Sequence, residues 1–277
     1  MIAALIIVFR EVIEAGLIVG IVLAVTTGIA RRGRWVAAGI AAGIAGATLV
    51  AVFANSLSDA LAGIGQEVFN SSILALAVVM LSWHNIWMAR HGRELAAHTK
   101  EIGEAVAAGS RSLAALAVVV GVAVLREGSE IVLFLYSLTL SGGASMWELL
   151  AGGVVGLLLG CAVSALTFFG LVKIPARYLF GVTTTLITFL AAGLAAQSVV
   201  FLQQAGLITT LSATAWDTSQ FLTDSGLIGR VLHTLVGYTD QPSEMQVVVY
   251  ATTLLIIFSL TRLLAPNKPR HRTLVAV

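Results

Sequence analysis

Long apolar runs recur along the whole chain, and short segments rich in charged residues, glycine or proline separate them. A helix needs about 20 apolar residues to cross the hydrocarbon core of a bilayer, and these runs approach or exceed that length. The pattern therefore predicts seven transmembrane helices and leaves no stretch for a separate soluble domain. The predicted spans are residues 2–29, 35–55, 69–90, 113–140, 147–171, 177–204 and 244–264.

The composition supports an all-α integral membrane protein. Apolar residues make up 58% of the 277 residues and charged residues 11%, whereas roughly a quarter of the residues in soluble domains are charged. The single cysteine excludes an internal disulfide. The net charge of +2 is too small to suggest a nucleic-acid partner. The bilayer is accordingly the one partner that composition predicts.

Basic residues are concentrated in alternate loops. Cytoplasmic loops of membrane proteins are enriched in Lys and Arg, so this asymmetry predicts the orientation of the chain. The amino terminus is predicted to lie outside and the carboxyl terminus in the cytoplasm, as an odd number of spans requires. The predicted location is the plasma membrane, which in a bacterium is the inner membrane. The residues on the predicted cytoplasmic side are Arg31, Arg32, Arg34, Arg90, Arg93, Lys100, Arg111, Lys173, Arg177, Arg262, Lys268, Arg270 and Arg272.

A short charged motif occurs twice inside the apolar spans. Residues 10–14 read REVIE and residues 126–130 read REGSE, so both follow the pattern Arg-Glu-x-x-Glu. With three spans in each unit, the second copy enters the membrane from the opposite side, which predicts inverted repeats with a shared site near the midplane. Small residues at helical spacing recur in the same way, at Gly39, Gly43 and Ala47 and at Gly152, Gly156 and Gly160. The predicted organisation is one domain, 1–277, consisting of repeat one (1–111), repeat two (112–204), an outer loop (205–243), and a last helix with its tail (244–277).

The motif places three charged side chains on one face of a helix, because residues three and four apart are neighbours on a helix surface. Each charge costs about 2.5 to 3.5 kcal/mol at the bilayer centre, so six charges are expected to converge or to line a wet path. Four carboxylates and two guanidiniums leave an excess of negative charge that suits a hard cation such as iron or manganese. The predicted metal-handling residues are Glu11, Glu14, Glu127 and Glu130, supported by Arg10 and Arg126.

Two alternatives compete with a transported ion. Each Arg and its Glu partners could form buried ion pairs that only fix helix packing. The sequence favours this alternative less, because the same motif occurs on two repeat-related helices. A membrane di-metal oxidoreductase is the second alternative, but its usual pattern is Glu-x-x-His on two helices, and here both motifs end in Glu. The sequence therefore favours a transporter over an enzyme, with the metal as substrate and no prosthetic group.

These residues resemble a known family, the high-affinity iron permeases of fungi together with the bacterial EfeU-type ferrous-iron permeases. The resemblance lies in REVIEAGLIVG at 10–20 and LREGSEIVLFL at 125–135, and it extends to QEVF at 66–69, FLAAGLAAQ at 189–197 and AWDTS at 215–219. It implies a seven-span iron permease in which the four motif glutamates handle the metal. It also implies a periplasmic or extracellular partner that captures or oxidises iron. Some relatives are linked to lead uptake, so lead or manganese remains an alternative substrate.

Four further residues are candidates for the path or its mouth. Glu67 lies in the QEVF segment, where many relatives carry a second acid at the position of Asn70. His84 is an unusual polar residue within span three, and it could equally line the path or bond a backbone carbonyl as a core residue. Asp217 and His233 belong to the outer loop, which is acidic and is predicted to contain a short interfacial helix. They could collect cations, although a solvated acidic loop is the simpler interpretation.

Overall fold

The computed structural model describes residues 1–61, 65–141, 145–170, 176–224 and 226–264. These residues form eight helices and no strand, so the chain is an all-α protein over the part described. Apolar runs without a period of two dictate this outcome, because a helix satisfies its own backbone hydrogen bonds in lipid. The helices are α1 (Ile2–Val25), α2 (Arg32–Leu61), α3 (Gln66–Ala107), α4 (Ala114–Leu140), α5 (Met146–Phe168), α6 (Ala176–Gln204), α7 (Leu227–Val236) and α8 (Glu244–Leu264).

The seven long helices follow the predicted spans in order, and α7 is the short helix predicted in the outer loop. Five of them, α2, α3, α5, α6 and α8, contain stretches long and apolar enough to cross a membrane. The other two, α1 and α4, have 24 and 27 residues and each carries the three charges of one motif. Because of those charges, hydropathy alone does not identify these two helices as membrane spans. The chain is thus a multi-pass helical membrane protein, and its other two long helices, α1 and α4, carry the charged motifs.

Helix α3 departs most from its predicted span. The predicted span 69–90 covers only the first half of α3, which continues to Ala107 and contains 42 residues. At 1.5 Å per residue its length is about 63 Å, roughly twice the hydrocarbon thickness of a bilayer. The second half contains the charged segment that hydropathy assigned to a loop, and an exposed pair between Lys100 and Glu104, spaced four residues apart, supports its helical form.

The long helices pack in reciprocal pairs. Helix α1 packs against α5, α2 packs against α4, and α3 packs against α6. Suppose that α1, α2 and α3 of the first half correspond to α4, α5 and α6 of the second. The pair α1–α5 then corresponds to the pair α4–α2, and the pair α3–α6 corresponds to itself. A two-fold relation between the halves requires this arrangement.

Glycines set the register of the two equivalent pairs. A Cβ atom at Gly156 would lie 2.6 Å from the carbonyl oxygen of Leu5, and one at Gly43 would lie 2.8 Å from that of Gly121. Leu5 precedes the first motif by five residues and Gly121 precedes the second by five. Only glycine permits such an approach of one backbone to another, as expected where close packing holds helices together in lipid.

The same contacts give the direction of the two halves. Along α5, Gly152, Gly156 and Gly160 meet successive turns of α1, so these helices run in the same direction. Gly39 and Gly43 of α2 meet successive turns of α4 in the same way. Because α1 reverses into α2 through the short connection 26–31, α4 runs opposite to α1. The two motif helices are therefore antiparallel, as inverted repeats predict; the repeat boundaries at 111 and 204 remain predictions.

Two apolar clusters lie at opposite ends of the motif helices. One cluster contains Ile7 of α1, Leu81 of α3 and Phe134 of α4, together with residues of α5, α6 and α8. The other contains Val22 of α1 and Val120 of α4, with residues of α2 and α3. Along both helices the charged motif lies between the two clusters. The fold therefore buries the motifs in the middle of the helix bundle.

Candidate metal centre

The two motifs meet at one buried site. Glu11 and Glu14 of α1 and Glu127 and Glu130 of α4 are all at most 8% exposed. The three-residue spacing puts both glutamates of a motif on one face of their helix. The antiparallel helices α1 and α4 pack against each other, which brings these two faces together. The convergence that the sequence predicts is thus the arrangement found in the structure.

Arg10 is enclosed by the carboxylates of its own motif. Its Nε lies 3.0 Å from Oε1 of Glu14 and its Nη1 lies 3.5 Å from Oε1 of Glu11, and the side chain is 2% exposed. A guanidinium and two carboxylates so close together offset part of the cost of burying each charge. Arg10 therefore holds the two glutamates of the first motif in place.

Arg126 has a different environment, although it occupies the same position in the second motif. Its Nε lies 3.3 Å from Oε1 of Glu130 and 3.9 Å from Oε1 of Glu127, but its side chain is 34% exposed. The guanidinium carbon lies 4.5 Å from the centre of the Trp87 ring, in cation–π geometry. The two arginines are therefore equivalent in sequence and unequal in burial.

His84 of α3 joins the two motifs. Its Nδ1 lies 2.5 Å from Oε2 of Glu130, and its Nε2 lies 3.3 Å from Oε2 of Glu14 and 4.0 Å from Oε2 of Glu11. The ring of His84 thus has carboxylates of both motifs beside it, and its part in a transport path remains a prediction.

Four ligand atoms of this group form a compact set. One atom each from Glu11, His84, Glu127 and Glu130 lies within 4.8 Å of the other three. Glu14 lies outside this set and contacts it through His84. Carboxylate oxygens and an imidazole nitrogen are ligands that transition metals such as iron and manganese accept.

Several polar atoms at the site are buried without an aligned hydrogen bond. They include both carboxylate oxygens of Glu11, one oxygen each of Glu14, Glu127 and Glu130, and both ring nitrogens of His84. These atoms have charged neighbours at short distance, but the directions do not meet hydrogen-bond geometry. Buried polar atoms normally find partners, so this concentration of unsatisfied oxygens indicates a place where a cation would be stabilised.

The candidate mouth residues lie elsewhere. Glu67 is exposed in the first turn of α3. Asp217 is exposed in the loop after α6, where its carboxylate accepts hydrogen bonds from the backbone and hydroxyl of Ser219; these bonds lower the pKa of the Asp217 carboxyl. His233 lies in the last turn of α7 with its Nδ1 2.7 Å from the carbonyl oxygen of Tyr238. The structure brings none of the three to the buried cluster.

A small cavity of about 30 Å³ lies beside the amino terminus of α1. It is large enough for water, which needs about 10 to 15 Å³ on the same measure. Polar side chains of Gln197, His233 and Gln246 contribute to its lining, together with the apolar Ala4 and Leu138. Ala4 precedes Glu11 by seven residues, so about 10 Å of helix separates the cavity from the cluster.

The loop after α6 is braced by two aspartates. The backbone N–H of Asp224 donates to Oδ2 of Asp240 at 3.3 Å, and the backbone N–H of Asp240 donates to Oδ1 of Asp224 at 3.1 Å. Partial burial and the nearby Asp240 carboxylate raise the pKa of the Asp224 carboxyl. These contacts explain the acidic residues of the loop as structural partners.

Two residues close to His84 in the sequence were not identified from the sequence. Trp87 covers Arg126. Asn85 is 2% exposed, and neither atom of its side-chain amide has a hydrogen-bond partner. The sequence feature that indicates these residues is the polar pair His84–Asn85, which lies between Trp83 and Trp87 in an otherwise apolar stretch.

Fold and site together define a multi-pass helical membrane protein with a buried, carboxylate-rich cluster suited to a cation. Comparison with protein families gives a match to the model described as the iron permease FTR1 family over residues 1–266. The chain therefore belongs to the iron permease FTR1 family, which confirms the resemblance in the sequence.

Curated relatives agree with this assignment. The chain is 30% identical to "Ferrous iron permease EfeU" of Escherichia coli O6:H1 over 248 residues, which is 88% of this chain and 89% of that protein. It is 30% identical to the protein of the same name from Shigella sonnei over 261 residues, 92% and 94% of the two chains. The Yersinia pestis protein of that name is 30% identical over 251 residues, 88% and 87% of the chains. No solved structure matched the chain.

Proposed function

We propose that this protein carries iron ions across the membrane into the cytoplasm through the buried cluster of the two Arg-Glu-x-x-Glu motifs. The observation that carries the proposal is the convergence of Glu11, Glu127 and Glu130 with His84 in one compact group. Both carboxylate oxygens of Glu11 and one each of Glu127 and Glu130 lack hydrogen-bond partners. Iron is the transported substrate in this account and not a prosthetic group. Family membership and relatives named ferrous iron permease support the choice of metal.

The arrangement of apolar residues supports a transport cycle with a closed intermediate. Ile7 and Phe134 lie between the cluster and the cavity at the start of α1, and both are fully buried. Val22 and Val120 close the opposite side and are at most 1% exposed. An ion at the cluster would be shielded from water at both ends. Transport would then require the two apolar clusters to open in turn, as in other transporters built from inverted repeats.

Uptake of radiolabelled iron into proteoliposomes that contain only this chain tests the proposal. Glu14→Ala and Glu130→Ala are expected to abolish uptake, because each removes one motif's carboxylate next to His84. Glu101→Ala is the matched control, because its side chain is 80% exposed on the distal half of α3. Normal uptake by both motif variants would refute a site built from the two motifs.

The identity of the metal is tested by competition. Manganese and lead are the alternative substrates, and carboxylates with one imidazole could accept either. Unlabelled Mn²⁺ or Pb²⁺ that suppresses iron uptake at concentrations below those at which Fe²⁺ itself competes would reassign the substrate. Supplying the label as Fe²⁺ and as Fe³⁺ distinguishes the two oxidation states.

The proposed orientation places the amino terminus and the loop 205–243 outside and the second half of α3 in the cytoplasm. The excess of Lys and Arg on one side supports it, and in a bacterium the membrane would be the inner one. A periplasmic or extracellular partner that captures or oxidises iron would then meet the cavity beside α1. Labelling of single cysteines in the two sets of loops with a membrane-impermeant reagent tests this topology.

A further inference from the structure

We propose that His84 is a direct ligand of the transported ion and makes the site select iron over Mg²⁺ and Ca²⁺. This inference rests on the proposed function and adds a residue outside both repeated motifs. Its basis is a buried imidazole, 3% exposed, whose two ring nitrogens lack aligned hydrogen bonds and face carboxylates of both motifs.

His84 is the only nitrogen ligand that the described residues bring to the cluster. The guanidiniums of Arg10 and Arg126 have no lone pair to offer a metal. The other three described histidines lie elsewhere: His91 stacks on Trp87, His98 is exposed near Glu101, and His233 lies by the Tyr238 carbonyl oxygen. All remaining ligands at the cluster are carboxylates.

A site made only of carboxylates would select iron poorly over other divalent cations. Carboxylate and water ligands suit Mg²⁺, Ca²⁺ and Mn²⁺, whereas imidazole suits iron, zinc, copper and nickel. Four glutamates without His84 would attract any hard divalent cation. One imidazole in the set favours ions that bind nitrogen well, which is the discrimination an iron carrier needs.

The distances allow coordination after a small contraction. Two ligand atoms that each lie about 2.1 Å from an ion can be at most about 4.2 Å apart. The four atoms of Glu11, His84, Glu127 and Glu130 are within 4.8 Å of one another, so side-chain shifts of less than about 1 Å would bring all four to that distance from one ion.

Glu14 has a separate part in this arrangement. It is outside the compact set, and its Oε2 lies 3.3 Å from Nε2 of His84. Histidines that bind metals commonly donate the other ring N–H to a carboxylate, which fixes the ring. We infer that Glu14 orients His84 while Nδ1, which faces Glu130, is the nitrogen that contacts the ion.

A spectroscopic experiment on the purified full chain tests the proposal without relying on a variant. One equivalent of Cu²⁺, an ion that imidazole suits, is added to detergent-solubilised protein, and electron spin-echo envelope modulation reports nitrogen nuclei of histidines bound to the metal. The expected result is one coupled histidine nitrogen, whose signal changes when the protein carries ¹⁵N-histidine. Absence of nitrogen coupling in the unmodified protein would overturn the role of His84.

Selectivity provides the second measurement. In His84→Gln, the affinity for Fe²⁺ relative to Mg²⁺ is expected to fall by about tenfold or more. Loss of a residue that only supports a metal ligand already costs about 10- to 100-fold in affinity, and loss of a ligand should cost at least as much. His98→Gln on the same helix is the matched control and should leave the ratio unchanged. A fall of equal size for both cations would show that His84 only supports the fold, which overturns the proposal.

The outcomes separate this inference from the proposed function. Iron uptake by the unmodified protein with no nitrogen coupling would refute the ligand role of His84 and leave the permease intact. No iron uptake by the unmodified protein would refute the proposed function, whatever His84 binds.

Discussion

Replacing Arg10 by Gln should destabilise the folded protein far more than the same change at Arg126. Both arginines open an Arg-Glu-x-x-Glu motif, so the sequence alone gives no reason for a difference. In the structure Arg10 is 2% exposed between Glu11 and Glu14, whereas the side chain of Arg126 is 34% exposed. The difference in burial decides how much each positive charge contributes to the free energy of unfolding.

The magnitudes follow from that burial. Removing one partner of a buried ion pair costs about 3 to 5 kcal/mol, because the carboxylates that remain are buried without compensation. Arg126 is one third exposed, so water screens its attraction to the buried Glu127 and Glu130, and these pairs contribute only about 1 kcal/mol. The contact of Arg126 with Trp87 adds about 0.5 to 1 kcal/mol. The expected losses are therefore about 3 to 5 kcal/mol for Arg10→Gln and about 1 to 2 kcal/mol for Arg126→Gln.

Reversible unfolding in mixed micelles, followed by circular dichroism as sodium dodecyl sulfate is increased, measures this difference. Size-exclusion elution before the titration verifies that each variant starts folded. Equal losses for the two variants would show that the two guanidiniums share one environment, and the reasoning from burial would fail.

Other features of the fold give further expectations. Gly156→Ala should lower the free energy of unfolding by about 1 to 3 kcal/mol, because its Cβ would lie 2.6 Å from the Leu5 carbonyl oxygen. Gly153→Ala, whose Cβ would be 3.9 Å from its nearest neighbour, should change it little in the same titration; similar losses would refute the register. Asp224→Asn should raise the melting temperature at pH 7 by the equivalent of less than about 1 kcal/mol, because the pKa of Asp224 is higher in the folded than in the unfolded protein, so ionisation favours unfolding. That gain should disappear as the pH falls through the raised pKa toward the ordinary value of about 3.9, and a gain independent of pH would contradict this cause.

The helices and the meeting of the motifs could be predicted from sequence because each depends on a local period. Apolar runs of bilayer length define the spans, and Arg10, Glu11 and Glu14 share a helix face whatever the fold around them. The duplication adds the long-range information, since two antiparallel copies with six charges are stable in lipid only if the charges converge.

The unequal environments within the site could not be predicted, because they arise from α3, which has no charged motif of its own. A single histidine in an apolar run is compatible with a ligand or with a core residue, and only the packing of α3 shows that His84 faces both motifs. Trp87, one turn further along, covers Arg126, whereas no ring among the described residues covers Arg10 in this way. The length of α3 was also missed, because hydropathy ends where the charged half begins while the helix continues.

The number of metal ions bound by the purified protein tests the central claim most directly. Equilibrium dialysis against Fe²⁺ under anaerobic conditions, with metal analysis of the protein, should give one ion per chain. Glu11→Gln and Glu130→Gln, which remove one carboxylate from each motif, should each eliminate that ion. Two tightly held irons, or one ion retained in either variant, would contradict a single site formed jointly by the two motifs.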